Sequence, residues 1–364
     1  MTGVQTCALP IYYVQQSAAV LTLGTSNPLF TGRAIVANGV MEANATGALS
    51  AAGLVDVKTG ATFRLTGSDA LGTSSYGVPL TLNGTGVANA TTFTGYLGAV
   101  TLGGGDLTSD ASPNPAGSWV LLGNVSATAD ATISALNVNS GVAGGSRDFA
   151  VAAGKVLTFS GSYADAVPVT GISGLSKSGN GTLQLSGAAK TYTGVTAVNG
   201  GFLRFADEAQ LGASSASVHA NLAFGGGSLE YTGGTFVRNF LVKDGGAGFN
   251  AVNPAAPFVI AGAGQVDFDD TAPVSGRPLT LSGSSNVANR YEAGLLSSAD
   301  AGRAFSSVIK NGVGQWIVAG AGATLTSDAD VTVNGGVLGF YLNALGQTSS
   351  NGNVTLANNA TLRW

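Results

Sequence analysis

The chain has 364 residues, of which 45% are hydrophobic and 9% are charged, and its formal net charge is −4 at pH 7. The weakly acidic balance argues against a nucleic-acid partner, which needs clustered Lys and Arg. No apolar run reaches the length of about 18 residues that predicts a membrane-spanning helix. Glycine accounts for 56 residues but lacks the three-residue period of collagen, and abundant β-branched residues exclude a disordered composition.

The first eleven residues, MTGVQTCALPI, have neither the basic start nor the apolar stretch of a signal peptide. Translated back into codons, they resemble a common short-read library adapter. We therefore interpret residues 1–11 as a sequencing artefact that does not belong to the fold. Cys7 is the only cysteine, so the natural protein is expected to have none, which suits an exported protein.

Three segments further along the chain repeat related phrases. The first, at 30–67, includes VDVKTGATFRL from Val55. The second, at 174–212, contains KSGNGTLQLSG from Lys177, and the third, at 308–346, contains KNGVGQWIVAG from Lys310. The last two share a VNGG turn and a closing Leu-Gly in the same register. Recurrence of this kind predicts a repeat architecture.

Within the repeats, apolar residues alternate with small polar ones, and Asn-Gly, Gly-Gly and Ser-Gly steps separate the alternating stretches. This pattern predicts short strands joined by glycine turns and almost no helix. The uneven repeat length favours a stack of coils over a closed propeller. The predicted fold class is all-β: a right-handed parallel β-helix (β-solenoid) with irregular loops. We expect small inward residues without large aromatic anchors, and stacked Asn, Ser and Thr at the turns.

Two segments contain candidate site residues. His219 is the only histidine, and without further His or Cys ligands it is interpreted as a surface residue. In QVDFDD, Asp267 and Asp269 fall on one face of a strand and Asp270 adjoins them at a turn. Paired carboxylates suit glycosidic acid–base chemistry or calcium binding, although a solvated turn is the simpler interpretation. We predict no catalytic, cofactor-binding or metal site, with Asp267, Asp269 and Asp270 kept as the alternative.

The stretch GLSKSGNGTLQLSGAAKTYTGVTAVNGGFLRFADEAQLG resembles the autotransporter-associated β-strand repeat. It carries the glycine-spaced strand that starts at Lys177, the Tyr-Thr-Gly step and the closing Leu-Gly, with Gln210 where the family usually has alanine. The third repeat departs further, because Trp316 replaces a leucine and the Tyr-Thr-Gly step is missing. The resemblance implies a β-helical passenger that is displayed at a bacterial outer surface by a C-terminal β-barrel translocator. It implies no catalytic residues.

The predicted function is therefore a cell-surface or secreted scaffold, the passenger part of an autotransporter acting in adhesion or surface display, without enzymatic activity or a cofactor. The expected partners are the outer-membrane β-barrel translocator and host or abiotic surfaces, glycans or like chains. A polysaccharide-acting enzyme and a non-adhesive surface-layer component remain open as alternatives. Residues 12–364 are expected to be a passenger fragment truncated at both ends.

Overall fold

A computed structural model describes residues 12–110, 118–141, 144–165, 171–213, 221–232, 234–261, 265–269, 276–294, 304–319, 325–341, 352–357 and 359–363. Residues 1–11 lie outside the described residues. The chain divides into two compact units, one ending at Ser173 and the other beginning at Gly174. Each unit is described by itself.

The described part of the first unit consists of short strands. They are β1 (Tyr12–Gln15), β2 (Val20–Leu23), β3 (Arg33–Val36), β4 (Val40–Ala43), β5 (Leu54–Val57), β6 (Thr62–Leu65), β7 (Val78–Asn89), β8 (Gly95–Thr108), β9 (Ser118–Leu121), β10 (Val125–Ala127), β11 (Ala131–Ile133), β12 (Asn137–Ser140), β13 (Ser146–Val151), β14 (Val156–Phe159) and β15 (Ser162–Ala164).

Parallel pairing between successive turns arranges these strands in columns. One column runs through β1, β3, β5, β7, β8, β10 and β13. A second runs through β2, β4, β6, β7, β8, β11 and β14, and a shorter third through β8, β9, β12 and β15. The long strands β7 and β8 turn a corner and therefore serve more than one column.

The described part of the second unit contains nineteen more strands and one short 3₁₀ helix at Glu208–Leu211. The strands are β16 (Gly174–Ser178), β17 (Thr182–Leu185), β18 (Thr196–Val198), β19 (Phe202–Phe205), β20 (Leu222–Phe224), β21 (Ser228–Tyr231), β22 (Thr235–Phe236), β23 (Phe240–Val242), β24 (Ala247–Ala251), β25 (Val259–Ile260), β26 (Val266–Phe268), β27 (Pro278–Gly283), β28 (Asn289–Tyr291), β29 (Phe305–Lys310), β30 (Gln315–Val318), β31 (Leu325–Val333), β32 (Val337–Phe340), β33 (Val354–Leu356) and β34 (Thr361–Arg363).

The strands of the second unit also stack in parallel columns. The first column is β16, β18, β20, β23 and β26. The second column is β17, β19, β21, β24, β27, β29, β31 and β33. The third column is β22, β25, β28, β30, β32 and β34.

The two units confirm the prediction of a β-solenoid. Their described strands make about 12 turns, and alternate side chains point into the core, as the period of two requires. In β7, for example, Val78, Leu80 and Leu82 are buried while the residues between them are partly exposed. None of the described elements is a helix with the length and apolar character needed to span a bilayer.

Aromatic side chains fill much of the interior, so the expectation of small inward residues without aromatic anchors is wrong. Trp119 and Trp316 are fully buried, and the rings of Phe149, Phe159 and Tyr163 pack with centroids 5.8 to 5.9 Å apart. The physical reason is the cross-section: a coil built from several strand columns encloses a volume that must be packed densely.

Polar ladders occur on the outside, as the sequence predicts. The amide of Asn334 donates to Oδ1 of Asn311 at 2.8 Å. The amide of Asn199 donates to Oγ of Ser176 at 3.2 Å. Each such bond joins neighbouring turns, so Asn and Ser at outward positions stabilise the stack without requiring a ligand.

Candidate functional site

The acidic segment begins in β26, the last described strand of the first column of the second unit. Asp267 is in β26 between buried Val266 and Phe268, and Asp269 follows the strand, also partly exposed. Oδ1 of Asp267 accepts the backbone N–H of Phe268 at 2.8 Å, and the carbonyl oxygen of Asp269 accepts a guanidinium N–H of Arg277 at 2.6 Å.

Asp270 and His219 lie outside the described residues, so paired-carboxylate chemistry at Asp267, Asp269 and Asp270 stays a prediction. Within the described ranges, no group of three or more His, Cys, Asp or Glu side chains is arranged to hold a metal ion.

Lys177, which opens the second repeat, is a buried cation at the end of β16. Its ammonium donates to the carbonyl oxygens of Ser178 at 2.6 Å and Gly179 at 2.8 Å. A third bond, of 3.1 Å, reaches the carbonyl oxygen of Gly200 in the next turn. The side chain therefore closes its own corner and ties that corner to the following coil.

Lys310 forms the same corner in the third repeat. Its ammonium donates to the carbonyl oxygens of Asn311 and Gly312, both at 2.7 Å, and to that of Gly335 in the next turn at 3.1 Å. Burial lowers the pKa of Lys310 to about 8 because desolvation penalises the ammonium. We name these two clusters the Lys177 corner and the Lys310 corner.

Lys190 and Arg238 are buried as well and also bind backbone carbonyls. Lys190 donates to the carbonyl oxygens of Ser186 and Ala188, both at 3.0 Å, and burial lowers its pKa to about 8. Arg238 donates to the carbonyl oxygens of Leu211 and Gly212, both at 2.8 Å. Carbonyl groups at these turns thus receive charged donors, which form stronger hydrogen bonds than neutral ones.

The structural role of these lysines was not predicted from the sequence. A signal was present, because both repeats begin with lysine in a chain in which only 9% of residues are charged. Lysine is almost never fully buried without a partner, and its acceptors are main-chain carbonyls that no side-chain motif reveals.

A polar ladder crosses the outward face of the second column. An Nη1 hydrogen of Arg204 bonds to Oε1 of Gln184 at 3.2 Å, and Nε of Arg204 donates to Oε1 of Glu230. Oε2 of Glu230 accepts the amide of Asn250 at 2.7 Å. The Glu230 side chain is only 3% exposed and that of Arg204 is 35% exposed, so the arginine lies nearer the solvent than the glutamate.

A groove of about 430 Å³ lies above this pair. Its walls come from four successive turns and include Ser186, Gln210, Thr232 and Val252. Guanidinium, amide and hydroxyl groups therefore converge on one concavity. We name it the Arg204 groove.

The first unit has a comparable outward face. Asp56, almost completely buried, accepts Lys58 Nζ at 2.8 Å and Arg33 Nη2 at 3.3 Å; the amide of Asn83 donates to it at 3.0 Å. A shallower groove of about 580 Å³ lies elsewhere in this unit and is lined by threonines, glycines and two carboxylates. Both carboxylates are engaged, Asp106 by Ser134 and Asp130 by the backbone N–H of Val156.

Comparisons with known proteins agree with this architecture. Residues 175–205, which contain the Lys177 corner, match the Passenger-associated-transport-repeat family. The chain is 28% identical over 375 residues to a protein named "Adhesin BmaC autotransporter" from Brucella suis biovar 1 (strain 1330). That alignment covers 94% of this chain but only 10% of the relative, so the chain spans about a tenth of its length.

No solved structure matches the chain. The family match covers one local repeat, whereas the similarity to the adhesin extends over almost the whole chain. They confirm the resemblance to autotransporter passengers that was predicted from the repeat phrases.

Proposed function

We propose that this passenger segment acts in adhesion at the bacterial surface. The observation that carries the proposal is the alternation along each strand: inward side chains build the core of each unit, and outward side chains form polar faces and grooves. Because each turn is stabilised by its neighbours, outward positions contribute little to the core and are available for recognition. The similarity to a protein named as an adhesin supports the same reading.

Export and anchoring follow from the passenger assignment. We infer that the whole protein contains an outer-membrane translocator and that this segment is displayed outside the cell or released from it. The match to a passenger-associated-transport repeat supports both inferences. The low charge and the interlocked turns suit a scaffold that holds binding faces away from the membrane.

We further infer that the segment works by binding and not by catalysis. Support comes from the buried, carbonyl-bound state of Lys177, Lys190 and Lys310, which makes these amines structural. The polysaccharide-acting alternative rests on Asp267, Asp269 and Asp270. It would replace the adhesive proposal if the purified chain cleaved glycans and Asp269→Asn abolished the cleavage.

The test uses fluorescent beads coated with the purified chain and measures their retention on epithelial cell layers, extracellular-matrix proteins and glass. The control is the double variant Gly201→Val/Gly336→Val, which keeps the net charge but disrupts two corners. We expect retention of the folded chain and loss of retention with the variant.

Retention of the folded chain no better than that of bare beads on every surface would overturn the proposal. Self-association of such a chain, measured by light scattering, would then favour the surface-layer alternative.

A further inference from the structure

We propose that the Arg204 groove binds the terminal sugar of a glycan, with hydrogen bonds from the groove to the hydroxyl and ring oxygens of that sugar. The inference deepens the proposed adhesive function and rests on it for its biological meaning. The binding site itself is argued from the groove, whose polar lining is Gln184, Ser186, Arg204, Gln210, Glu230 and Thr232.

Two neighbouring side chains hold the guanidinium of Arg204 in a fixed orientation. Its Nε is held by Glu230 and one Nη1 hydrogen by Gln184. An arginine side chain has five N–H donors in a rigid plane, and those that remain have no hydrogen-bond partner among the described residues. A donor group that is already oriented loses little entropy when a ligand oxygen arrives.

The side-chain amides of Gln184 and Gln210, which lie near the arginine, are also held in fixed orientations. Oε1 of Gln184 already accepts from Arg204. Oε1 of Gln210 accepts the backbone N–H groups of Ala206 at 3.1 Å and Asp207 at 3.4 Å. With both carbonyl oxygens engaged, the two side chains have their NH₂ groups left as donors.

The hydroxyl group of Thr232 completes this set. It donates to the carbonyl oxygen of Phe205 at 3.4 Å and keeps its lone pairs for a ligand hydroxyl. The groove thus combines several donors with a hydroxyl acceptor, a combination that matches the mixed donor and acceptor character of sugar hydroxyl groups.

Charge distinguishes a sugar from a phosphate or sulfate. Glu230 is nearly fully buried and directly paired with Arg204, so the arginine already has a counter-charge beside it. A multiply charged anion would gain little net attraction there. Neutral hydroxyl and ring oxygens need only oriented hydrogen bonds, which the groove provides.

The size and the backbone of the groove exclude an extended peptide that would bind by adding a strand. Strands β17, β19 and β21 form its base, and their main-chain groups are already paired from turn to turn, so no free strand edge is offered. The volume of about 430 Å³ falls in the range of small-molecule pockets and suits about one or two sugar rings.

The test is saturation-transfer NMR and titration of the full chain with methyl glycosides of neutral hexoses, N-acetylhexosamines, uronic acids and sialic acid. Two variants probe the groove, Arg204→Met and Gln184→Ala. The second keeps the Arg204–Glu230 pair and therefore remains informative if the first does not fold. The matched control is Arg64→Met, because Arg64 also pairs with a glutamate, Glu42, at 3.3 Å on an outward face.

We expect at least one of these glycosides to bind, with affinity reduced about tenfold by Arg204→Met, the loss of one charged hydrogen bond. A reduction of about threefold is expected for Gln184→Ala, and none for Arg64→Met. Circular dichroism of each variant verifies the fold.

Equal affinity in the wild-type chain and both groove variants would overturn the proposal, as would the absence of binding to every glycoside at millimolar concentration. If such a chain still adhered to cells, the adhesive function would stand without this site. Sugar binding that depends on Arg204 in a chain that does not adhere would support the site and remove the adhesive function.

Discussion

The Lys177 and Lys310 corners have nearly the same geometry but occupy different columns of the second unit. Lys177 is the last residue but one of β16 in the first column, where it pairs with Val198. Lys310 ends β29 in the second column, where it pairs with Leu281. The corresponding glycines also agree: φ is 71° at Gly179 and 73° at Gly312. The repeat therefore encodes a corner, and the position of that corner around the core is set by other parts of the chain.

Leu183 of the second repeat corresponds to Trp316 of the third, and this difference reflects the column in which each residue lies. Leu183 pairs with Leu203 in the second column, whereas Trp316 lies in the third and pairs with Asn289 and Leu338. The indole of Trp316 packs 5.7 Å from the ring of Phe258 and donates to the carbonyl oxygen of Ser282 at 2.8 Å. Its larger side chain fills space that a leucine would leave empty.

The largest effect is expected at the glycine that follows each corner in the next turn. Gly201 and Gly336 have φ of 57° and 67°, and an added Cβ would lie 2.3 Å from the carbonyl oxygen of Gly181 or Gly314. Gly201→Ala and Gly336→Ala should each lower the free energy of unfolding by about 3 to 4 kcal/mol, measured by urea unfolding.

The control for these two variants is Gly60→Ala. Gly60 has φ of 77° but no atom within 4 Å of the added Cβ, so it isolates the backbone strain, and a loss of only about 1 kcal/mol is expected. Equal losses at all three glycines would show that the collision with the preceding turn does not matter.

Exchanging the unlike residues tests the role of the column. Trp316→Leu, which makes the third repeat read like the second, should lower the free energy of unfolding by about 2 to 3 kcal/mol, because it leaves a cavity and removes the indole donor. Leu183→Trp should also destabilise, by overpacking. Thermal unfolding of both variants measures this, and a neutral Trp316→Leu would mean that either column accepts either residue.

Removing the two lysines tests whether the corners contribute equally. Lys177→Met and Lys310→Met each leave three carbonyl oxygens without their charged donor, so each should cost about 2 kcal/mol in urea unfolding. Lys243→Met, at an exposed position in the same unit, should change stability by less than about 0.5 kcal/mol. A loss confined to one corner would contradict the equivalence seen in their distances.

The smallest effect is a pH dependence at the Lys310 corner. Folding lowers the pKa of Lys310 from 10.5 to about 8, so between these values the unfolded chain binds more protons than the folded chain. The free energy of unfolding should therefore rise with pH in this window, by about 1 to 2 kcal/mol from pH 8 to pH 10 for this group. Urea unfolding at several pH values should show a shallower rise in Lys310→Met, and an unchanged slope would exclude this contribution.

Much of the fold could be predicted from the sequence because its signals are local. Alternating residues such as those of TLQLSG from Thr182 specify strands, and the glycines at 179 and 312 specify corners with positive φ. Polar ladders followed from outward Asn and Ser. The interior was predicted less well, since the number of columns enclosing the core, and hence its width, is not a local property.

The candidate binding groove could not be predicted from the sequence. Arg204 and Glu230 are 26 residues apart, and they meet because β19 and β21 stack in register. A change in the length of the chain between β19 and β21 would shift Glu230 relative to Arg204, although the sequences of both strands would be unchanged.

By itself, then, the sequence determined that the chain is a β-solenoid with repeated glycine corners and that it resembles autotransporter passengers. It could do so because strand period and turn chemistry act over a few residues. Only the tertiary structure decided which column each corner occupies, which cations are buried, and where Arg204 meets Glu230. These features depend on the pairing of strands about one turn apart, and that register is set by loop lengths and core packing together.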